Sequence, residues 1–201
     1  MAMKTVMIED LLITDERDKL IWDKIDGELK FRPDGRYRGH SFGVPLPFEI
    51  EKPYIVYAID DMTVPQIDEM NVKLRDCFAE IIRDGERLYA LDWQHSSFVF
   101  DPTVEPSGDP PWLGDGDMSG FPQPPVCRFI PDERYHGGGY NAYYPTFYPD
   151  GDYHFFVEEA LEYGLLGHPW RQEIWVFGSR LIPSIEKISG ELGWKKIKEK
   201  F

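Results

Sequence analysis

At 201 residues, with 42% hydrophobic, 15% aromatic and 29% charged residues, the chain has ample material for a packed core and does not match the profile of a disordered segment. Its 22 Lys+Arg stand against 36 Asp+Glu, a formal net charge of -14, which repels phosphate backbones and anionic lipid and so disfavours nucleic-acid and membrane-surface binding. No apolar run approaches the roughly 20 residues needed to span a bilayer. Met1 to Met7 holds a single basic residue, Lys4, so no secretory leader is expected and the cytoplasm is the expected location.

The first predicted element is an amphipathic helix from Thr14, with acidic residues in its first turn, Leu20, Ile21, Trp22 and Ile25 on one side, and an end near Gly27. Phe31 to Phe48 holds an Asp34-Gly35 turn signal and then Pro45 and Pro47, which reads as an irregular hairpin or surface loop. Tyr54 to Ile59, bounded by Pro53 and Asp60-Asp61, is a short buried strand. The clearest helix runs from Thr63 to Arg83. Thr63 and Gln66 can form a capping box there, and Ile67, Met70, Leu74, Phe78, Ile81 and Ile82 make one apolar stripe. Leu88 to Trp93 and Ser97 to Phe100 are two adjoining strands about a polar break that holds His95.

Residues 101 to 150 hold ten of the seventeen prolines and seven of the eighteen glycines, so regular elements are not expected there. Trp112, Phe121, Phe129, Tyr135, Tyr140, Tyr143, Tyr144, Phe147 and Tyr148 carry too much apolar surface for a solvated linker. The stretch 101–148 therefore reads as a long loop folded onto the domain. Beyond it, Tyr153 to Val157, Gly164 to Gly167 and Glu173 to Phe177 form an antiparallel meander, and Leu181 to Leu192 is a closing helix. The tail of Lys195, Lys196, Lys198 and Lys200 suits the C-terminal end of that helix. The expected fold is a single α+β domain over 1–201, a mostly antiparallel sheet with helices packed on one face.

The runs LYALDWQHSSFVFDP, Leu88 to Pro102, and PDGDYHFFVEEALEYGLLGHPWRQEIWVFG, Pro149 to Gly178, are specific in wording. Through them the chain resembles the bacterial family known as domain of unknown function 2716. The resemblance implies membership and supplies no reaction; against the family pattern, Val104 to Tyr148 looks like an expansion.

The residues able to carry chemistry lie in those same runs: Asp92, Trp93, Gln94 and His95, then Asp152 and His154, then His168 and Trp170. Imidazole and carboxylate share protons near neutral pH or hold a divalent metal. Asp152 and His154, two apart on a strand, project from one face, where they would meet His95 or His168 from a neighbour. His95, His168, Asp92 and Asp152 about one point would suit zinc, manganese or iron. Ordinary turn chemistry explains the same residue types without a ligand. Asp115 to Gly120 mimics half of a calcium loop, but position twelve is Val126 and prolines replace the exiting helix, which excludes an EF-hand. No Gly-x-Ser-x-Gly occurs, and Cys77 and Cys127 make no short-spaced pair.

Two functions of different class follow. The first is a non-catalytic binding protein, needing no cofactor, whose acidic face or aromatic loop engages a basic protein such as a toxin enzyme. The second is a metal-assisted hydrolase built on His95, His168, Asp92 and Asp152, with a metal-bound water as nucleophile.

Overall fold

The computed structural model describes residues 3–31, 49–93, 95–109, 126–149 and 151–201. The chain enters through strand β1 (Lys4–Met7) and one 3-10 turn (Ile8–Asp10) into helix α1 (Asp15–Glu28). Thr14 caps α1 by accepting the Arg17 N–H at 3.3 Å, and Asp15, Glu16 and Asp18 lie at the positive end of the helix dipole. After β2 (Tyr54–Ala58) comes helix α2 (Val64–Ile81). Its start carries the expected box residues: the Gln66 side chain accepts from the Thr63 N–H at 2.8 Å and from the Thr63 hydroxyl at 2.7 Å.

Strands β3 (Leu88–Asp92), β4 (Ser97–Phe100), β5 (Val104–Ser107), β6 (Cys127–Pro131), β7 (Gly139–Tyr143), β8 (His154–Glu158), β9 (Gly164–His168) and β10 (Glu173–Phe177) follow. Helix α3 (Ile182–Ser189) and β11 (Lys195–Lys200) close the chain. Seven strands make one antiparallel sheet in the order β11-β2-β10-β9-β8-β3-β4. The fold class is α+β with a mostly antiparallel sheet.

The sequence reading expects the helices on one face of the sheet; instead α1 lies on one face and α2 and α3 on the other. Ile174 and Val176 of β10 join a core with Met70, Leu74 and Phe78 of α2 and Ile182 and Ile185 of α3. Trp175 and Phe177, alternating with them, join a second core with Ile21 and Ile25 of α1 and Leu29 at its C-terminal cap. Strands apolar on both sides, such as YIVYA and EIWVF, need a cover on both.

Two further expectations are corrected. The lysine tail is not a helix end: β11 pairs antiparallel with β2, with a register shift between Lys196 and Lys198. The Lys198 ammonium lies 5.3 Å from the Tyr54 ring centroid and 5.2 Å from that of Trp175, so its charge rests on aromatic faces while the strand edge stays wet. The stretch 101–148 is also not all irregular. Strand β5 pairs in parallel with β1, and β6 with β7 forms a hairpin. Gly137 (φ 109°) and Gly138 (φ 79°) make that hairpin's turn in a backbone region that side chains disfavour, so a glycine run that looks like slack is turn chemistry. The Asp34-Gly35 turn and the Asp115 to Gly120 segment lie outside the described residues.

Candidate metal centre

The polar break between β3 and β4 is a tight reversal. The Asp92 N–H donates to the Ser96 carbonyl at 3.2 Å, and the His95 N–H donates to the Asp92 carbonyl at 3.0 Å. Leu88 and Ala90 of β3 face the α2/α3 core, so Asp92, two further along, projects from the same side. On β8, Phe156 faces that core, and His154, two residues before it, is the direct cross-strand partner of Asp92. Sheet parity therefore brings an aspartate and a histidine together at one end of the sheet. The turn returns His95 to them, and Asp152 arrives from the approach to β8.

His95 Nδ1 lies 3.1 Å from Asp92 Oδ1 and 3.6 Å from Asp152 Oδ2. Ligand-type atoms of Asp92, His95 and Asp152 all fall within 4.8 Å of one another. Asp92 is buried, whereas the His95 side chain is 53% exposed, so the group has a dry back and an open front. Burial raises the Asp152 carboxyl above its ordinary pKa. The Tyr153 N–H, donating to Asp152 Oδ1 at 2.8 Å, opposes that rise, and the Asp92 carboxylate adds to it.

His154 is buried beside the group. Its Nδ1 lies 2.8 Å from the Thr146 carbonyl oxygen, and a carbonyl only accepts, so Nδ1 carries the proton. Its Nε2 then faces Asp92 Oδ1 at 3.8 Å. Metal-binding histidines have the same arrangement, with one nitrogen held by a carbonyl and the other presented.

His168 does not join the other three expected ligands. Gly167 is the cross-strand partner of His154, and Leu166 of β9 faces the α1 core, so His168 projects from the opposite side of the sheet. Its ring centroid is 5.0 Å from that of Tyr153 and 6.1 Å from that of Trp170, in an aromatic cluster that Trp93 enters through Tyr153 at 5.7 Å. Burial, with the Arg171 charge second, pushes the His168 imidazole down to about 4, so it is neutral at pH 7. Of the predicted residues, Asp92, His95, Asp152 and His154 are thus together, while His168, Trp93 and Trp170 share the far face. Sequence reading missed Thr146. Its contribution is a backbone carbonyl, which no residue type announces.

Residues 12–140 and 126–182 match the model of the family described as "Protein of unknown function (DUF2716)". The chain belongs to this family. Asp92 and His95 fall in the first matched range, and Asp152, His154 and His168 in the second. The chain is also 27% identical over 169 residues to "Uncharacterized protein YxiI" of Bacillus subtilis (strain 168), covering 83% of this chain and 85% of that protein. No solved structure matches. Among the described residues, no helix is long and apolar enough to cross a membrane.

Proposed function

We propose that this chain is a cytosolic metal-binding protein in which Asp92, His95 and Asp152 hold a divalent cation such as zinc or manganese, with His154 completing the ligand set. The observation that carries this reading is the convergence of those three ligand atoms within 4.8 Å from the two ends of a hairpin turn and the approach to a neighbouring strand. Two carboxylates this close repel each other, and a cation between them removes that cost. Mixed imidazole and carboxylate donors suit zinc, manganese or iron. The open side at His95 leaves room for water, as at catalytic rather than purely structural metal sites. A metal held by Asp92, His95 and Asp152 would supply the chemistry of water activation at neutral pH, so hydrolysis is the reaction class we propose.

Dialysis against zinc or manganese followed by elemental analysis tests the site. Wild-type protein is expected to retain metal stoichiometrically, and Asp152→Asn to retain little. Equal retention by both, or none by wild type, overturns the proposal. A binding role toward a basic protein is the second reading. It is favoured by the formal net charge of -14 and predicts an association that weakens with added salt.

A further inference from the structure

We infer that Asn71, a helix residue outside the cluster, is a positioning residue for the metal centre, acting through a strap of chain at residues 144–149 that fixes the His154 imidazole. This inference rests on the metal-binding reading of the cluster. The strap supplies the Thr146 carbonyl that takes the His154 Nδ1 proton at 2.8 Å. That carbonyl can set the tautomer only if it stays in place, and the strap is fastened right beside it, at Phe147 and Tyr148.

The Phe147 N–H donates to Asn71 Oδ1 of α2 at 3.0 Å. The Phe147 ring stacks on Phe156 at 3.8 Å, and Phe156 lies two residues after His154 on the same face of β8. The Thr146 hydroxyl donates to the Tyr148 carbonyl at 2.8 Å, closing a local turn. The Tyr148 hydroxyl then donates to Gln172 Oε1 at 3.0 Å, and Gln172 Nε2 donates to the Pro169 carbonyl at 2.7 Å. The strap is thereby tied to the helix layer through Asn71, to the core through Phe147, and to the β9–β10 turn through Tyr148.

Among these ties the Asn71 amide oxygen is the acceptor for the backbone N–H of the residue next to Thr146. A half-buried N–H that loses its acceptor seeks another, and the strap shifts with it. His154 then loses its fixed donor role, and Nε2 is no longer held toward Asp92. Outer partners that orient a ligating histidine in this way typically change metal affinity by about 10- to 100-fold when removed.

The test compares full-length wild type, Asn71→Ala and Asn71→Asp, the last keeping an acceptor oxygen in place. Long-range proton–nitrogen spectra of metal-free protein, with the His154 signal identified by its absence from His154→Gln, report the tautomer directly. Wild type and Asn71→Asp are expected to show one Nδ1–H form, and Asn71→Ala a mixture. Cobalt titration followed by visible absorption should show about 10- to 100-fold weaker binding for Asn71→Ala, with wild-type strength restored in Asn71→Asp. An unchanged tautomer and unchanged cobalt affinity in Asn71→Ala overturn the role of Asn71. If wild type binds no cobalt, the metal reading fails, and the tautomer spectra still decide whether Asn71 positions His154. A general loss of folding would lower the melting temperature of both variants alike and would not be rescued by the aspartate.

Discussion

The two strand-borne histidines at this end of the sheet differ by the face on which parity places them. His154 points toward carboxylates and gives its Nδ1 proton to a carbonyl, whereas His168 sits among aromatic rings where a charge is poorly solvated. Because its folded pKa is depressed to about 4 from 6.5, protonation of His168 favours the unfolded chain. Its contribution to stability is complete above pH 6.5 and is lost as pH falls from there through 4. In metal-free protein, melting temperatures of wild type and His168→Gln between pH 7 and pH 4 should therefore converge toward the acid end. Parallel curves would show that His168 is not held neutral by the fold.

At the scale of elements, the end of α2 and the start of α3 are joined by one ionic knot. Arg180 donates from Nη1 to Glu86 Oε1 at 2.6 Å and from Nη2 to the Ile81 carbonyl, and the Tyr163 hydroxyl donates to Glu86 Oε2 at 3.0 Å. The Arg180 bond is the main reason that Glu86 is held down at about 2, against a partial opposition from burial. A depressed carboxylate stabilises the fold above its unfolded pKa of 4.5, and that stability is lost as pH falls through 2. Glu86→Gln should be less stable than wild type at pH 6, with the gap closing below pH 4; a gap that persists at pH 2 would contradict the ionic account.

The elements whose own residues carry a pattern were legible: β2, α2, β3, β4, β8, β9 and β10 lie close to where apolar runs, caps and turns put them. Strand β11 was not, because KKIKEK has no buried face, and its extended form comes from pairing with β2. Strand β5 was hidden for a similar reason, its partner β1 being nearly a hundred residues away in sequence. For the candidate site, residue types were legible and the face assignment was not. Register across β3 and β8 sets His154 beside Asp92, and register across β8 and β9 sends His168 to the opposite face; one residue of slip in either pairing changes which histidine shares the Asp92 side.

Across the whole molecule, the sheet is the device that holds the cluster. Two cores clamp its faces, so β3 and β8 have little freedom to slide and their shared end keeps Asp92 opposite His154. One edge is covered, since the Val99 N–H donates to the Leu11 carbonyl at 2.8 Å and the Ile13 N–H to the Ser97 carbonyl at 3.1 Å. The other edge is the lysine-rich β11, whose charges discourage further strand addition. The polar groups are thus gathered at a strand end, where the ladder stops and side chains from the β3–β4 turn and the approach to β8 converge. Such an end tolerates paired carboxylates at a stability cost, and the proposed cation would offset that cost by stabilising only the folded state.

The most direct measurement is thermal melting of full-length protein with chelator, zinc or manganese, beside His95→Ala and His168→Ala. Wild type and His168→Ala are each expected to gain melting temperature with metal, whatever their metal-free baselines, whereas His95→Ala is expected to gain little. A metal-dependent rise that survives His95→Ala but disappears in His168→Ala would place the ligands on the opposite face of the sheet. No rise in wild type would remove the metal centre altogether.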